Sequence, residues 1–244
     1  MEIKNPFSKG LINDWDSIEQ LLDNLFKSQL YIDPKENPLL ISEPTFNTKV
    51  NREKLTELAF ELFETPAFFI SKSSVLSSFA NGKSTSLVVD LGGSSTCITP
   101  IHDGYALQKC SSRSSLAGEL LTEEYFKILT EQRNIIIRPH YMIESKKEVR
   151  PGQFEVKLRD IANKTTDSYK LYMIKNVVRD IKETVTRLAD THFDDSINNA
   201  VPTVSYELPD GTTIDLGTDR FKIPELLFDP DSLNVYILVV ILEN

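Results

Sequence analysis

The feature that most limits the possible folds of this chain is the run Ser86–Pro100, SLVVDLGGSSTCITP. Ser86–Asp90 reads as a strand that ends in a carboxylate, Leu91–Ser95 as a tight turn and Thr96–Pro100 as a second strand. Asp103-Gly104 turns the chain again into Tyr105–Lys109, which suits an antiparallel hairpin followed by another strand. A glycine pair after a carboxylate has two readings. One is an ordinary Gly-rich hairpin turn. The other is a phosphate-holding loop, in which successive backbone N–H groups converge on an anion while Gly92 and Gly93 keep side chains out of its way. In that second reading Asp90 acts on bound metal or water. The residues alone leave both open.

Helical patterns surround this run. Over 11–30, Trp15, Ile18, Leu21, Leu22 and Leu25 recur at helical spacing, with Asp14, Asp16 and Glu19 near the start. Pro38–Ser42 is expected as a buried strand. Asn51 is then the expected N-cap of a helix whose apolar face is Leu55, Leu58, Ala59, Leu62 and Phe63. Pro66 stops it, Ala67–Ile70 is a brief strand, and Lys72–Ala80 is a helix leaving through Asn81-Gly82. Further on, Ala117–Leu129 and Leu171–Asp190 are expected helices, the second with Ile174, Val178, Ile181, Val185 and Leu188 on one side. Pro209-Asp210-Gly211 joins Val204–Leu208 to Thr212–Leu216 as a hairpin, and 131–170 reads as irregular.

Composition sets outer bounds. The chain has 244 residues, 40% of them hydrophobic, enough for a sizeable core. With 27 basic against 36 acidic residues the formal charge is -9, which argues against a broad nucleic-acid surface. Cys97 and Cys110, both in expected strands, form no disulfide framework and are expected as reduced thiols. The apolar run Val235–Leu242 is far short of the ~20 residues needed to cross a bilayer.

Other motifs read as structural. Gly82-Lys83-Ser84 resembles the end of a phosphate-binding P-loop, but Ser77 stands where its first glycine belongs. Lys182 and Glu183, mid-helix, suit either a solvated face or an ammonium and carboxylate set over a nucleoside. His102, His140 and His192 have no ligand spacing, and Asn163-Lys164-Thr165 is a sequon without a secretory signal. From the residues alone, the chain is a mixed α/β protein with a candidate nucleotide loop.

A series of segments, in order along the chain, resembles the actin family: GLINDWDS (10–17), ENPLLISEPTFNTKVNREKLTEL (36–58), TPAFFI (65–70), SVLSSFANGKSTSLVVDLGG (74–93), HDGYAL (102–107), LAGELLT (116–122), VVRDIKE (177–183) and YELPDG (206–211). DWDS, the Phe pair of AFFISKSSVLSSFANG, YMIESKKEVRPG and KIPELLFDP are most similar to the family's nuclear actin-related branch. The resemblance implies an α/β fold of the actin-like ATPase (ribonuclease H-like) kind, incomplete here. It divides the chain into 1–83 (remainder of a first lobe), 84–116 (hairpin and strand opening a second), 117–230 (outer subdomain of the second lobe) and 231–244 (a divergent apolar tail that would leave exposed surface). The first phosphate loop would precede Met1, and the last adenine contacts would follow Pro230.

By the same resemblance, Asp90, Gly92, Gly93 and Ser94 belong to the second phosphate loop, and Gly118, Lys182 and Glu183 line the adenosine pocket. ATP is implied as a structural ligand, weakly held. The family's water-orienting glutamine is Ser73 here, a second loop carboxylate is Gly93, and the loop histidine is Cys97. These losses oppose hydrolysis, because phosphoryl transfer depends on positioning and charge stabilisation. The resemblance therefore implies a nuclear, non-catalytic structural subunit of chromatin-remodelling and histone-acetyltransferase complexes, in transcription regulation and DNA repair. Its partners would be actin and the helicase-SANT-associated helix of a remodelling ATPase or scaffold, with indirect chromatin contact and no membrane. The alternatives are an actin-like cytoskeletal ATP-binding protein, or a fragment without function.

Overall fold

The computed structural model describes residues 2–150, 153–189, 201–230 and 239–241. The chain divides into two compact units: Asn5–Ala117 with Ile237–Asn244, and Met1–Lys4 with Gly118–Tyr236.

The first unit opens with a small hairpin, β1 (Phe7–Ser8) and β2 (Leu11–Ile12), turned at Lys9-Gly10, both with positive φ. Helix α1 (Trp15–Asn24) begins where the Asp14 carboxylate accepts from the Ser17 N–H, and it continues as a π-helical turn over Leu25–Leu30. Strand β3 (Leu39–Glu43) pairs in parallel with β4 (Phe68–Lys72), and helix α2 (Lys49–Glu57), extended by a π turn over Leu58–Leu62, makes the crossover. The cap of α2 is Thr48, not Asn51: the Thr48 hydroxyl accepts from the Asn51 N–H at 3.2 Å. Leu55, Ala59 and Phe63 are buried as expected, with Phe63 edge-on to Phe26 at 5.2 Å, whereas Leu62 is exposed.

Helix α3 (Ser73–Ala80) leaves through Gly82 at φ +67 into β5 (Ser86–Leu91). Strand β6 (Thr96–His102) pairs antiparallel with β5, with β7 (Tyr105–Ala106) and with β8 (Ser112–Ser114). Asp103 and Gly104 both have positive φ, the requirement of the tightest hairpin turn. Cys110 lies in a 3-10 turn rather than in a strand. The apolar tail contributes β13 (Val239–Ile241), which pairs antiparallel with β8; the rest of the tail lies outside the described residues.

In the second unit, α4 (Gly118–Lys127, with a π turn over Ile128–Gln132) packs on α5 (Asp167–Val185) and on the short α6 (Asp219–Glu225). Tyr125, Leu129, Val178, Ile181, Leu216 and Ile223 form its core. Helix α5 starts earlier than its apolar pattern suggests, because Thr166 caps it by accepting from the Tyr169 N–H. It ends at Val185, which leaves Leu188 exposed; Asp190 and His192 lie outside the described residues. Strands β11 (Val204–Glu207) and β12 (Thr213–Leu216) form the expected hairpin.

The segment 131–170 is not irregular. It holds a second hairpin, β9 (Ile143–Arg150) with β10 (Gln153–Leu158). Glu144–Arg150 is exposed throughout, so its sequence carries none of the alternation that marks a half-buried strand.

Candidate functional site

In the first unit, the β5–β6 turn borders a cavity of about 290 Å³. Strand β5 carries Asp90 to its edge, and the turn closes where the Gly92 N–H donates to the Ser95 carbonyl at 3.1 Å. A Cβ at Gly92 would lie 3.1 Å from that same oxygen, so the turn is tightest without a side chain there. Ser94, Ser95 and Ser73, the last from the first turn of α3, add hydroxyls to the wall. Behind them runs a buried hydroxyl chain. Thr99 Oγ1 donates to Thr45 Oγ1 at 3.2 Å, and Thr45 shares a hydrogen bond with Ser74 at 2.9 Å.

Tertiary structure adds residues that sequence reading does not single out. Gly10, at φ +73, sits where a Cβ would lie 3.1 Å from Ser94 Oγ and 3.3 Å from the Phe46 ring. The Arg113 guanidinium stacks 3.6 Å from the Phe46 ring centroid and donates to the Lys9 carbonyl. Burial holds its pKa below the usual arginine value. Arg113 carries no local signal, since its partners lie far away along the chain, and the turn at Lys9-Gly10 does not say what Gly10 will face.

Glu43 closes one side of the cavity at 3% exposure, held by Asn47 Nδ2 at 2.8 Å and Arg52 Nε at 3.2 Å. Lys72 donates to the Thr45 carbonyl at 3.5 Å; burial lowers its pKa, Glu43 opposes the fall and Arg52 adds to it.

Cys97 lines the same cavity. Burial raises its thiol pKa, Ser95 and Arg113 pull it partly back, and Asp90 pushes it up. A raised pKa leaves less thiolate, the reactive form. Brief iodoacetamide treatment at pH 8 should therefore alkylate exposed Cys110 well before Cys97, read by peptide mass mapping. Equal or faster labelling of Cys97 would refute this.

In the second unit, Lys182 of α5 reaches the start of α4. Its ammonium donates to the Gly118 carbonyl at 2.8 Å and to Thr122 Oγ1 at 3.0 Å. Burial is the main cause that lowers its pKa; Arg179 adds to it, while Glu183 and Glu119 oppose it. Lys182 and Gly118 thus meet, whereas Glu183 is exposed to solvent. Asp90, Gly92 and Ser94 line the cavity of the first unit, and Gly93 is exposed at the turn outside its lining.

As a holder of phosphate the cavity is half suited. Its glycine turn and hydroxyls match phosphate oxygens, but the charge does not. Glu43 and Asp90 in its lining are acidic, and the cations beside it, Arg113 on Phe46 and Lys72 on the Thr45 carbonyl, are engaged with the protein. A polyanion there is repelled unless countercharge comes with it.

The family model for actin matches residues 1–237. The chain belongs to the actin family, and its α/β fold is an actin-family fold. Among its relatives, actin-related protein 4 of Arabidopsis thaliana is 49% identical over 230 residues, covering 94% of this chain and 52% of its own length. The protein of the same name from Oryza sativa subsp. japonica is also 49% identical, over 94% of this chain and 51% of its own. A Schizosaccharomyces pombe protein named "SWI/SNF and RSC complexes subunit arp42" is 34% identical over 94% of this chain and 57% of its own length. The chain spans about half the length of these curated relatives.

Proposed function

We propose that this chain is part of a nuclear, non-catalytic actin-related subunit that serves as a structural element of chromatin-remodelling and histone-acetyltransferase complexes, in transcription regulation and DNA repair. The observation that carries this reading is the wall at Ser73. A short hydroxyl stands there, in a cavity lined by the carboxylates Glu43 and Asp90, where the neighbouring cations Arg113 and Lys72 are already bonded to the carbonyls of Lys9 and Thr45. Stabilising phosphoryl transfer needs charge and a positioned water. A serine hydroxyl reaches less far than an amide on a longer stem. The relatives' names support the assignment to a complex, one of them being a SWI/SNF and RSC subunit.

ATP in this reading is structural. Asp90, Gly92, Gly93 and Ser94 would face its phosphates, and Gly118, Lys182 and Glu183 its adenosine. For Lys182 to turn to a nucleotide it must leave Gly118 and Thr122, which lowers the net gain. Bound nucleotide would stabilise the fold by mass action. The partners would be actin and a helicase-SANT-associated helix of the remodelling ATPase or scaffold, with chromatin reached through the complex.

A phosphate-release assay under saturating magnesium ATP should give a rate at the level of the buffer blank, with Ser73→Gln changing it little. Turnover comparable to that of conventional actin under the same conditions would sink the non-catalytic reading. Calorimetry should likewise find weak ATP binding, and tight binding by this chain would contradict the charge argument.

A further inference from the structure

Helices α1 and α2 of the first unit leave between them a cleft of about 320 Å³, away from the loop of Asp90. Helix α1 presents Trp15, Asp16 and Glu19, about one turn of one face. The α2 helix and its π turn present Lys54, Glu57, Leu58, Glu61 and Leu62, whose spacings of three and four residues place them in one stripe. Trp15 and Leu58 are half-buried and Leu62 is 44% exposed, so the floor offers apolar surface to a side chain from outside. Four carboxylates stand around it, Asp16, Glu19, Glu57 and Glu61, against the single ammonium of Lys54. Among the described residues none of the four takes part in an ion pair.

We propose that this cleft docks a Lys/Arg-rich amphipathic segment of a partner protein. An apolar side chain of that segment rests on Trp15, Leu58 and Leu62, and basic side chains reach Glu19, Glu57 and Glu61. Charge complementarity chooses the occupant. A rim with an excess of three carboxylates repels an acidic segment and speeds the approach of a basic one. The apolar floor sets the docking register, as in helix-in-groove recognition. Neither the proposed nucleotide role nor its failure bears on this cleft, which shares no lining residue with the cavity of Asp90.

Trp15 is the only tryptophan of the chain, so its emission reports on this cleft alone. The full chain is titrated with a tryptophan-free amphipathic Lys/Leu peptide while Trp15 fluorescence is followed. A saturable change is expected, weakening as NaCl shortens the screening length. The same pattern written in Glu and Leu should produce no change. The double variant Glu57→Lys/Glu61→Lys, at two exposed positions, should bind the Lys/Leu peptide about tenfold or more weakly. If that variant does not fold, as judged by circular dichroism, Glu19→Lys on the other helix provides the same test. Equal response to both peptides, binding without a Trp15 change, indifference to charge reversal, or no binding of the Lys/Leu peptide would each overturn the proposal.

Discussion

Replacing Arg52 by alanine is expected to destabilise the first unit by about 2–3 kcal/mol, read as a lower urea midpoint at unchanged slope. The reason is Glu43, whose side chain is 2% exposed while Arg52 is 49% exposed. The cost falls on the carboxylate left behind. Without the guanidinium it keeps the Asn47 amide at 2.8 Å and the charge of Lys72, in surroundings that hydrate it poorly. Breaking a buried pair typically costs about 3–5 kcal/mol, and Arg52's open side brings this pair below that range. The double variant Glu43→Gln/Arg52→Ala should recover part of the loss, since the buried carboxylate is then gone, although Lys72 loses the favourable charge of Glu43. A single variant as stable as the parent, or a double variant no better than the single, would show that Glu43 is hydrated after all.

Gly211→Ala is expected to cost about 2–4 kcal/mol in the second unit, through backbone strain and overlap together. Gly211 has φ +90, a conformation that L side chains rarely adopt. A Cβ there would lie 2.6 Å from Phe154 Cγ, and the 2.8 and 2.9 Å approaches of the two Cδ atoms show that it meets the ring itself. The turn cannot easily give way. Gly211 N donates to the Leu208 carbonyl at 2.8 Å, and Asp210, 1% exposed, is held by Arg138 at 2.8 Å. Phe154 must therefore lift, taking the β9–β10 hairpin off the β11–β12 turn and stretching the Lys146–Glu207 contact of 2.6 Å. Amide exchange should quicken in β9 and β10 along with the fall in melting temperature. A melting temperature unchanged from the parent, with exchange in the hairpin also unchanged, would show that the close approach is not maintained.

Much of this fold was legible residue by residue. The Asp103-Gly104 turn, the exit at Gly82 and the β5–β6 hairpin follow from glycines where the backbone needs positive φ or close approach, a requirement set within a few residues. The buried face of α5, with Val178, Ile181 and Val185, follows from helical spacing in the same way. The family was legible for a different reason, since ordered segments along nearly the whole chain agree at once. Where sequence reading failed, the signal was weak or absent. Strand β9 is exposed from Glu144 to Arg150 and so leaves no alternation, and Thr48 rather than Asn51 caps α2 because either residue type can do so.

The candidate site divides along the same line. The sequence by itself determined that a carboxylate, a glycine turn and a serine pair stand together at 90–95, and that Lys182 lies on the side of a long helix. Only the tertiary structure decided what these groups face. It seats Gly10 and Phe46 against the loop, brings Arg113 to a carbonyl 104 residues away, buries Glu43 beside the cavity, and turns Lys182 onto Gly118 across 64 residues. The physical reason is range. Turn and helix propensities act over a few bonds and are written in neighbouring residues. Burial, charge pairing and the pKa of a lysine depend on which distant segments exclude water around it, and that is settled only when the chain packs.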